Sequence, residues 1–399
     1  MEKLLGLAGL FVFLLIAWSL SSSRKSISWR LVVWGVGLQA LFAVVILKTG
    51  PGLLVFDFAR VVMTGLLDFT DIGSRFLFGS LTSDLNIGAV LAFKVLPVII
   101  FVSSLMGILY YLRVIQLIVA GMAWVMERTM KASGIEAFMA AVFVFMGIEA
   151  VSGAKEYFRR MTASEVFAVM TAFMSTIAGS VMAVYASFGA SAGHLLAASV
   201  MSAPAALVIA KLMMPETERA GAEAEGNAVL FRSGDSNIIE AAANGASEGV
   251  KLAATIGAML LAFVALIGMA NHFLGLVGTS FEEISGYVFT PFAFLMGVPW
   301  EDCFKVGELL GIKIVFNEFI SYQRMQGMIE AGALQPRSVA IATYALCSFA
   351  NFGSIAILIG GIGSIAPERK KEIARLSLKA LAAGVLASFT TATIAGMLL

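Results

Sequence analysis

Val306-Gly307-Glu308-Leu309-Leu310-Gly311-Ile312-Lys313-Ile314-Val315-Phe316-Asn317-Glu318-Phe319-Ile320-Ser321-Tyr322 is a largely apolar stretch that carries a carboxylate, Glu318, near its end. About 20 apolar residues cross a bilayer, and a charge at that depth costs ~2.5–3.5 kcal/mol or more. An acid tolerated there faces a protein-lined or watery cavity and touches a polar solute or an ion. The plainer reading is an acid satisfied by a neighbouring helix. Either way, the stretch predicts a span that holds Glu318.

The rest of the chain supports a polytopic membrane protein. Of its 399 residues, 59% are hydrophobic and 13% charged, with mean hydropathy +0.92. Soluble domains run at about 25% charged. The net charge of +1 supplies no basic field for nucleic acid. Cys303, Cys347, His194 and His272 are too few and too scattered for a zinc pattern or a disulfide framework. The 21 methionines and 39 glycines suit close, adaptable helix packing in lipid.

Leu4 to Leu20 is long for a secretory signal, and Ser21-Ser22-Ser23-Arg24-Lys25 offers no small-x-small cleavage site, so a retained first helix is expected. Arg24, Lys25 and Arg30 then precede a second helix over 31–47. The positive-inside rule puts that loop in the cytoplasm and the N-terminus outside. Residues 53–78 mix Val55, Phe58, Val62, Leu66 and Phe69 at helical spacing with Asp57, Arg60, Asp68, Asp71 and Arg75. This predicts an amphipathic helix, lying in the interface or packed on the bundle. Residues 91–112 read as a span, and 121–134 as a second interfacial helix.

Residues 135–154 are apolar until Gly147, Glu149, Ser152 and Gly153 interrupt them, which predicts a re-entrant hairpin. Spans are expected over 165–186, with Ser175-Thr176 and Gly179-Ser180, and over 195–214, with Pro204 inside. The polar loop 215–247 ends in a possible helix from Asn237, before a span over 249–271. A second hairpin is expected at 286–298, where Pro291 breaks a short apolar run. Further spans are expected at 306–322, at 338–358 with Phe349-Ala350-Asn351-Phe352-Gly353-Ser354, and at 372–399. Broken hairpin, span with a polar centre, then another span occurs at 135–214 and again at 286–359. Paired interruptions in matching places point to an inverted-repeat carrier with a midplane site and alternating access.

Several stretches resemble the concentrative nucleoside transporter family, of bacterial type, from about residue 91 to the C-terminus. They include Ser175-Thr176-Ile177-Ala178-Gly179-Ser180-Val181, Ser202-Ala203-Pro204-Ala205-Ala206, Ala241-Ala242-Ala243-Asn244-Gly245-Ala246-Ser247 and Met296-Gly297-Val298-Pro299-Trp300-Glu301-Asp302. Asn317-Glu318-Phe319, Ala342 to Phe352, Gly360-Gly361-Ile362-Gly363 and Ala366-Pro367-Glu368-Arg369 complete the set. The resemblance implies an all-α protein of about eight transmembrane helices, two re-entrant hairpins and interfacial helices, with the inverted repeat in the transport domain. It implies a homotrimer in the bacterial inner membrane and cation-coupled import of nucleosides by an elevator-type mechanism. On this pattern 1–134 and 360–399 are scaffold, and 215–285 is loop, interfacial helix and scaffold span. The transport domain is then 135–214 and 286–359.

The resemblance also assigns residues. Glu318, Asn351 and Ser354 are implied ribose ligands, with Phe349 in the aromatic position of the same motif. The chemistry agrees, because a carboxylate accepts two hydrogen bonds from a sugar diol, each worth roughly 1.5–3 kcal/mol. Asn351 and Ser354 stand i,i+3 and can share a helix face, although polar pairs also serve as interhelical glue. The family's first-hairpin motif is Gly-Gln-Thr-Glu-Ala-Pro; here it reads Gly147-Ile148-Glu149-Ala150-Val151. Glu149 matches the motif's acid once one residue is deleted, and Val181 lines the base pocket. Without the glutamine and threonine, the expectation is a broader or altered base preference, or a nucleoside-like or related polar solute that is not a common nucleoside.

Met146, Thr176 and Ile177 are the implied sodium ligands, while Phe143 stands where sodium-coupled members carry asparagine. Sodium is one expectation. The other is proton coupling through Glu149 or Glu318. No cofactor is expected. A membrane-embedded enzyme is disfavoured, since no paired aspartates, zinc motif or nucleophile–base pair is visible. Lys251, Lys313 and His272 read as structural polar groups, and Gly360-Gly361-Ile362-Gly363 lacks the context of a phosphate loop.

Overall fold

Polar caps inside apolar sequence set where the helices of this chain begin. Ser133 with Glu136, and Thr162 with Glu165, form reciprocal capping boxes. Asn237, Asn317 and Asn351 each cap a helix through their side chains. The structure, a computed structural model, describes residues 2–82, 91–218 and 234–399. Among these residues every regular element is helical.

The chain opens with α1 (Glu2–Ser19), α2 (Trp29–Lys48) and the long amphipathic α3 (Gly50–Phe78). A short α4 (Leu91–Lys94) leads to α5 (Leu96–Tyr111) and α6 (Val114–Met130), bent from α5 by 73°. The bend passes through Arg113, whose φ of 63° is left-handed. Next come α7 (Gly134–Val142), a 3-10 turn (Ile148–Ala154) and α8 (Lys155–Phe158). This is the first hairpin, where the interrupted pattern placed it. Then follow α9 (Ala163–Ser175), α10 (Gly179–Ser187) and α11 (Ala192–Met213).

The second half holds α12 (Ile238–Gly275), α13 (Phe281–Leu295), α14 (Trp300–Val315), α15 (Glu318–Glu330), α16 (Pro336–Leu346), α17 (Phe352–Ile365) and α18 (Lys370–Leu398). The inner layer is α9–α10, α11 and α18, which are mostly buried, whereas α2 and α12 present most of their apolar length outward. Close approach of α5 and α12 depends on missing side chains. A Cβ on Gly107 would stand 2.6 Å from the Ala241 carbonyl oxygen, and one on Gly245 would stand 2.5 Å from that of Ser103.

The second hairpin is not at 286–298. Pro291 lies inside α13 without ending it. The hairpin is α14 and α15, with its tip at Phe316-Asn317. Ser321 Oγ donates to Leu309 O (2.8 Å), Lys305 Nζ to Ala333 O (2.7 Å) and the Gln335 amide to Asp302 Oδ2 (2.9 Å), so the arms run antiparallel from tip to base. The expected continuous spans at 165–186, 306–322 and 338–358 are each broken, at 176–178, 316–317 and 347–351. Conversely, the polar segment from Asn237 and the span after it form one helix, α12, with residues 219–233 outside the described part. Among the described residues, five helical segments, with α9–α10 taken as one, are apolar and long enough to cross a bilayer, and the bent α5–α6 pair makes a sixth. Two shorter apolar helical segments, Leu5–Ser19 and Phe352–Ile365, stand beside them.

One end of the molecule gathers a group of basic residues. The Ser22 amide donates to Met213 O (2.9 Å), Arg30 Nε to Thr129 O (3.4 Å) and Lys379 Nζ to Met213 O (3.0 Å). Arg369 Nη1 donates to Phe158 O and Met161 O. These contacts place the 24–30 loop, the end of α6, α8, the end of α11 and the start of α18 together. Buried there is a network in which Lys211 pairs with Glu136, donates to Ser164 Oγ (2.8 Å) and reaches Glu216 (3.4 Å).

Candidate substrate-binding site

The two tips and the two helix breaks meet. At the second tip, Asn317 accepts the Ile320 amide (2.9 Å) and starts α15, which puts Glu318 in the first turn of a half-helix. Glu318 is therefore not an acid in mid-helix. It sits at a positive helix end that favours a carboxylate. Tyr185 OH donates to Glu318 Oε1 (2.8 Å), and Asn351 Nδ2 donates to Oε2 (2.8 Å). Asn351 also caps α17, its Oδ1 accepting the Ser354 amide (2.8 Å). The i,i+3 pair is thus a cap and its partner rather than two residues on one helix face. Each carboxylate oxygen has a second lone pair, so Glu318 keeps capacity for further donors.

Glu149, Val181, Glu318, Phe349, Asn351 and Ser354 all line one cavity. Tyr185 and Asn317 line it too, and α12 closes one wall with Leu252, Thr255, Ile256 and Met259. Sequence reading missed Tyr185. Tyrosine inside a small-residue span carries no signal until its hydroxyl is seen on the acid, with its ring stacked on Tyr322 at 4.5 Å. The first hairpin contributes differently. Glu149 turns back on its own tip, Oε1 accepting the Gly147 amide (2.7 Å). Val181 is buried, and Phe349 leans on Phe173 at 5.5 Å. The polar groups thus concentrate around Glu318 and the apolar ones around the first tip.

The family profile described as the C-terminus of the Na+ dependent nucleoside transporters matches residues 194–396, about half of the chain. The N-terminal profile of the same transporters matches residues 8–81, and a nucleoside-recognition gate profile matches 92–192. This chain belongs to the sodium-dependent nucleoside transporter family. Rat solute carrier family 28 member 3 is 44% identical over 419 residues, covering all of this chain and 59% of that protein. Rat sodium/nucleoside cotransporter 1 is 40% identical, with 64% of its length covered. The chain thus spans about three-fifths of the length of the curated relatives it matches. The solved structure of CNTnw in an inward-facing substrate-bound state superposes with TM-score 0.94 at 38% identity, covering 100% of this chain and 98% of that one. A CNTnw variant in an outward-facing state gives 0.93. The family consists of carriers, which removes the enzyme reading.

Within this sodium-dependent nucleoside transporter fold, Met146, Thr176 and Ile177 do not line the cavity that holds Glu318. They stand behind it, where the first tip meets the α9–α10 break. There the Gly179 amide donates to Phe145 O (3.0 Å), and the Phe349 amide donates to Thr176 O (3.0 Å). Backbone carbonyls and a hydroxyl are the ligand type that a hard cation accepts, and the Thr176 hydroxyl itself donates to Ala172 O (2.9 Å). Phe143 adds none. It is buried against Phe173 at 5.7 Å.

Proposed function

We propose that the chain is a sodium-coupled nucleoside symporter that works by elevator-type alternating access. One observation carries the reading: Glu318, held from both sides by Tyr185 and Asn351, faces the cavity where the two hairpins and two helix breaks converge. The ribose hydroxyls donate to Glu318, with Asn351 and Ser354 completing the sugar end. The base lies against Val181 and Phe349, with Glu149 at the rim. Sodium, bound through Met146, Thr176 and Ile177, ties the first tip to the α9–α10 break and so stiffens the base end of the pocket.

The hydrogen bonds support a moving body. Phe145 to Gly179, Thr176 to Phe349, Tyr185 to Glu318 and Glu318 to Asn351 join both hairpins and both broken helices into one connected unit. The wall formed by α12 contributes Leu252, Ile256 and Met259, an apolar surface along which such a unit can slide. In this reading α14–α15 and α16–α17 travel with α7–α8 and α9–α10, while α12 stays in the scaffold. A second cavity continues from Ile148 and Glu149 past Ser180 to Asn244 and Asp235 at the start of α12. It supplies a path for release.

The membrane in this proposal is the bacterial inner membrane, with the basic end in the cytoplasm. Exposed Leu54, Phe58, Ile72 and Phe76 on α3 suit lipid and the neighbours of a homotrimer. Uptake of radiolabelled uridine into proteoliposomes tests the function. Accumulation of unchanged uridine under an inward sodium gradient supports it. Equal rates in sodium and choline, with a response to an imposed pH gradient, would move the coupling to the proton.

A further inference from the structure

Phe56, in the second turn of α3, seats its ring on bare backbone at the start of α11. A Cβ on Gly193 would stand 2.1 Å from Phe56 Cδ1 and 2.4 Å from its Cγ, so the ring fills the space that a side chain at 193 would need. His194 continues the contact. Its ring lies edge-on to Phe56 with centroids 5.0 Å apart, and its Nδ1 stands 3.2 Å from Tyr344 OH on α16. In the elevator reading the two sides of this contact belong to different bodies. α11 is tied to the moving unit, through Tyr344 to α16 and through Lys211 to Glu136 on α7 and Ser164 on α9. α3 is tied to α2 by a tight turn. There Thr49 Oγ1 accepts the Gly52 amide (3.2 Å), and a Cβ on Gly52 would stand 2.2 Å from the carbonyl oxygens of Val45 and Ile46.

The contact is end-on. Phe56, Arg60, Met63 and Leu67 recur at helical spacing on one face of α3. They line the same cavity as Ala186 near the end of α10 and Ala190 to Gly193 at the start of α11. A helix laid over the turn between two others meets their ends, so travel across the membrane makes or breaks the contact instead of sliding past it. Beside Phe56 the two surfaces stand apart around a cavity of about 500 Å³, which the exposed Asp57–Arg60 pair also lines. A loosely filled gap with polar walls uncovers little new apolar surface when it opens.

We propose that α3 is an end-stop for the moving unit: Phe56 docks on Gly193 and His194 at one limit of travel, and the contact parts whenever the unit leaves that limit. This role rests on the elevator reading. It gives Phe56 and Gly193 a part in transport although neither lines the cavity that holds Glu318.

The experiment is a reversible cross-link in the full chain, Phe56→Cys with Gly193→Cys. The 2.4 Å from a Gly193 Cβ to Phe56 Cγ, one bond beyond the Phe56 Cβ, puts the two Cβ atoms within about 4 Å, the separation of a disulfide. The native Cys303 and Cys347 are buried, and Phe56→Cys alone controls for them. Uptake of radiolabelled uridine into proteoliposomes is measured before oxidation with copper phenanthroline, after it, and after reduction with dithiothreitol. Maleimide labelling of the denatured protein shows whether the introduced thiols have joined. Uptake should fall at least about tenfold once they join and return on reduction, because a step that must occur in every cycle limits turnover. Calorimetric binding of uridine in detergent should stay within about twofold of the reduced protein. Full uptake by the joined protein would show that α3 travels with the unit and overturns the proposal, as does failure of the pair to join. Loss of binding together with uptake would trace the arrest to a distorted site and likewise overturns it. Wild-type protein in the same assay separates the two claims. No sodium-driven accumulation there refutes the proposed function, whereas normal accumulation there beside full uptake by the joined protein refutes the end-stop alone. If Gly193→Cys does not fold, Phe56→Cys with His194→Cys, joined by a short bis-thiosulfonate reagent, replaces it with the same expected and contrary outcomes.

Discussion

The two hairpins occupy matching places in the repeat but present different chemistry to the same cavity. The second tip offers Asn317 and Glu318, and the break beside it offers Asn351 and Ser354, all buried, with Glu318, Asn351 and Ser354 joined by hydrogen bonds. The first tip offers Gly147 and Ile148, with Glu149 tied back to the Gly147 amide. One side is a fixed set of acceptors and donors. The other is mainly apolar surface. A site that hydrogen-bonds a group rejects analogues lacking it by large factors, whereas an apolar pocket discriminates weakly. Under the proposed function, this comparison puts selectivity at the sugar and tolerance at the base.

The strongest way to break this comparison is Glu318→Gln. It removes charge-assisted bonds worth roughly 1.5–3 kcal/mol each, so uridine uptake should fall at least about 100-fold in kcat/KM. Size-exclusion and thermal-melt profiles should stay close to wild type. Tyr185→Phe deletes the hydroxyl held at 2.8 Å on Glu318 and leaves the ring stack on Tyr322 intact. Its KM should rise by about tenfold with little loss of stability, as for one bond to a charged group. Phe143→Asn sharpens the other side. An added oxygen at the first hairpin should lower the sodium concentration for half-maximal uptake several-fold, by supplying a hard ligand. The same change empties the contact with Phe173, so the melting temperature should drop, in line with the cost of truncating a buried phenylalanine. The smallest effect is expected from changing the base. Uridine, cytidine and inosine should differ by less than about tenfold in KM, as an apolar pocket would allow.

What the sequence made legible follows from range. The site acid, the Phe349-to-Ser354 motif and the first hairpin were visible because polar residues interrupt apolar runs locally. The breaks at 176–178 and 316–317 were not, because two or three residues barely change the mean hydropathy of a window long enough to report a span. Pro291 drew the second hairpin to the wrong place. A proline within α13 removes one amide donor, yet packing against α14 holds the helix, while the real tip is hidden in a run that reads as continuous. α12 was divided because its first turns are polar, although Asn237 caps it and nothing afterwards breaks it before Gly275. Tyr185 and the partnerless Nζ of Lys313 emerge only from three-dimensional proximity, which pattern cannot report.

The measurement closest to the central claim compares uridine with 2′,3′-dideoxyuridine in calorimetric binding to the wild-type protein in sodium buffer. If Glu318 and Asn351 hold the sugar hydroxyls, the dideoxy compound should bind at least about 100-fold more weakly, the loss of two charge-assisted bonds. Equal affinity for the two compounds would show that the acid does not hold the ribose, and would contradict the account.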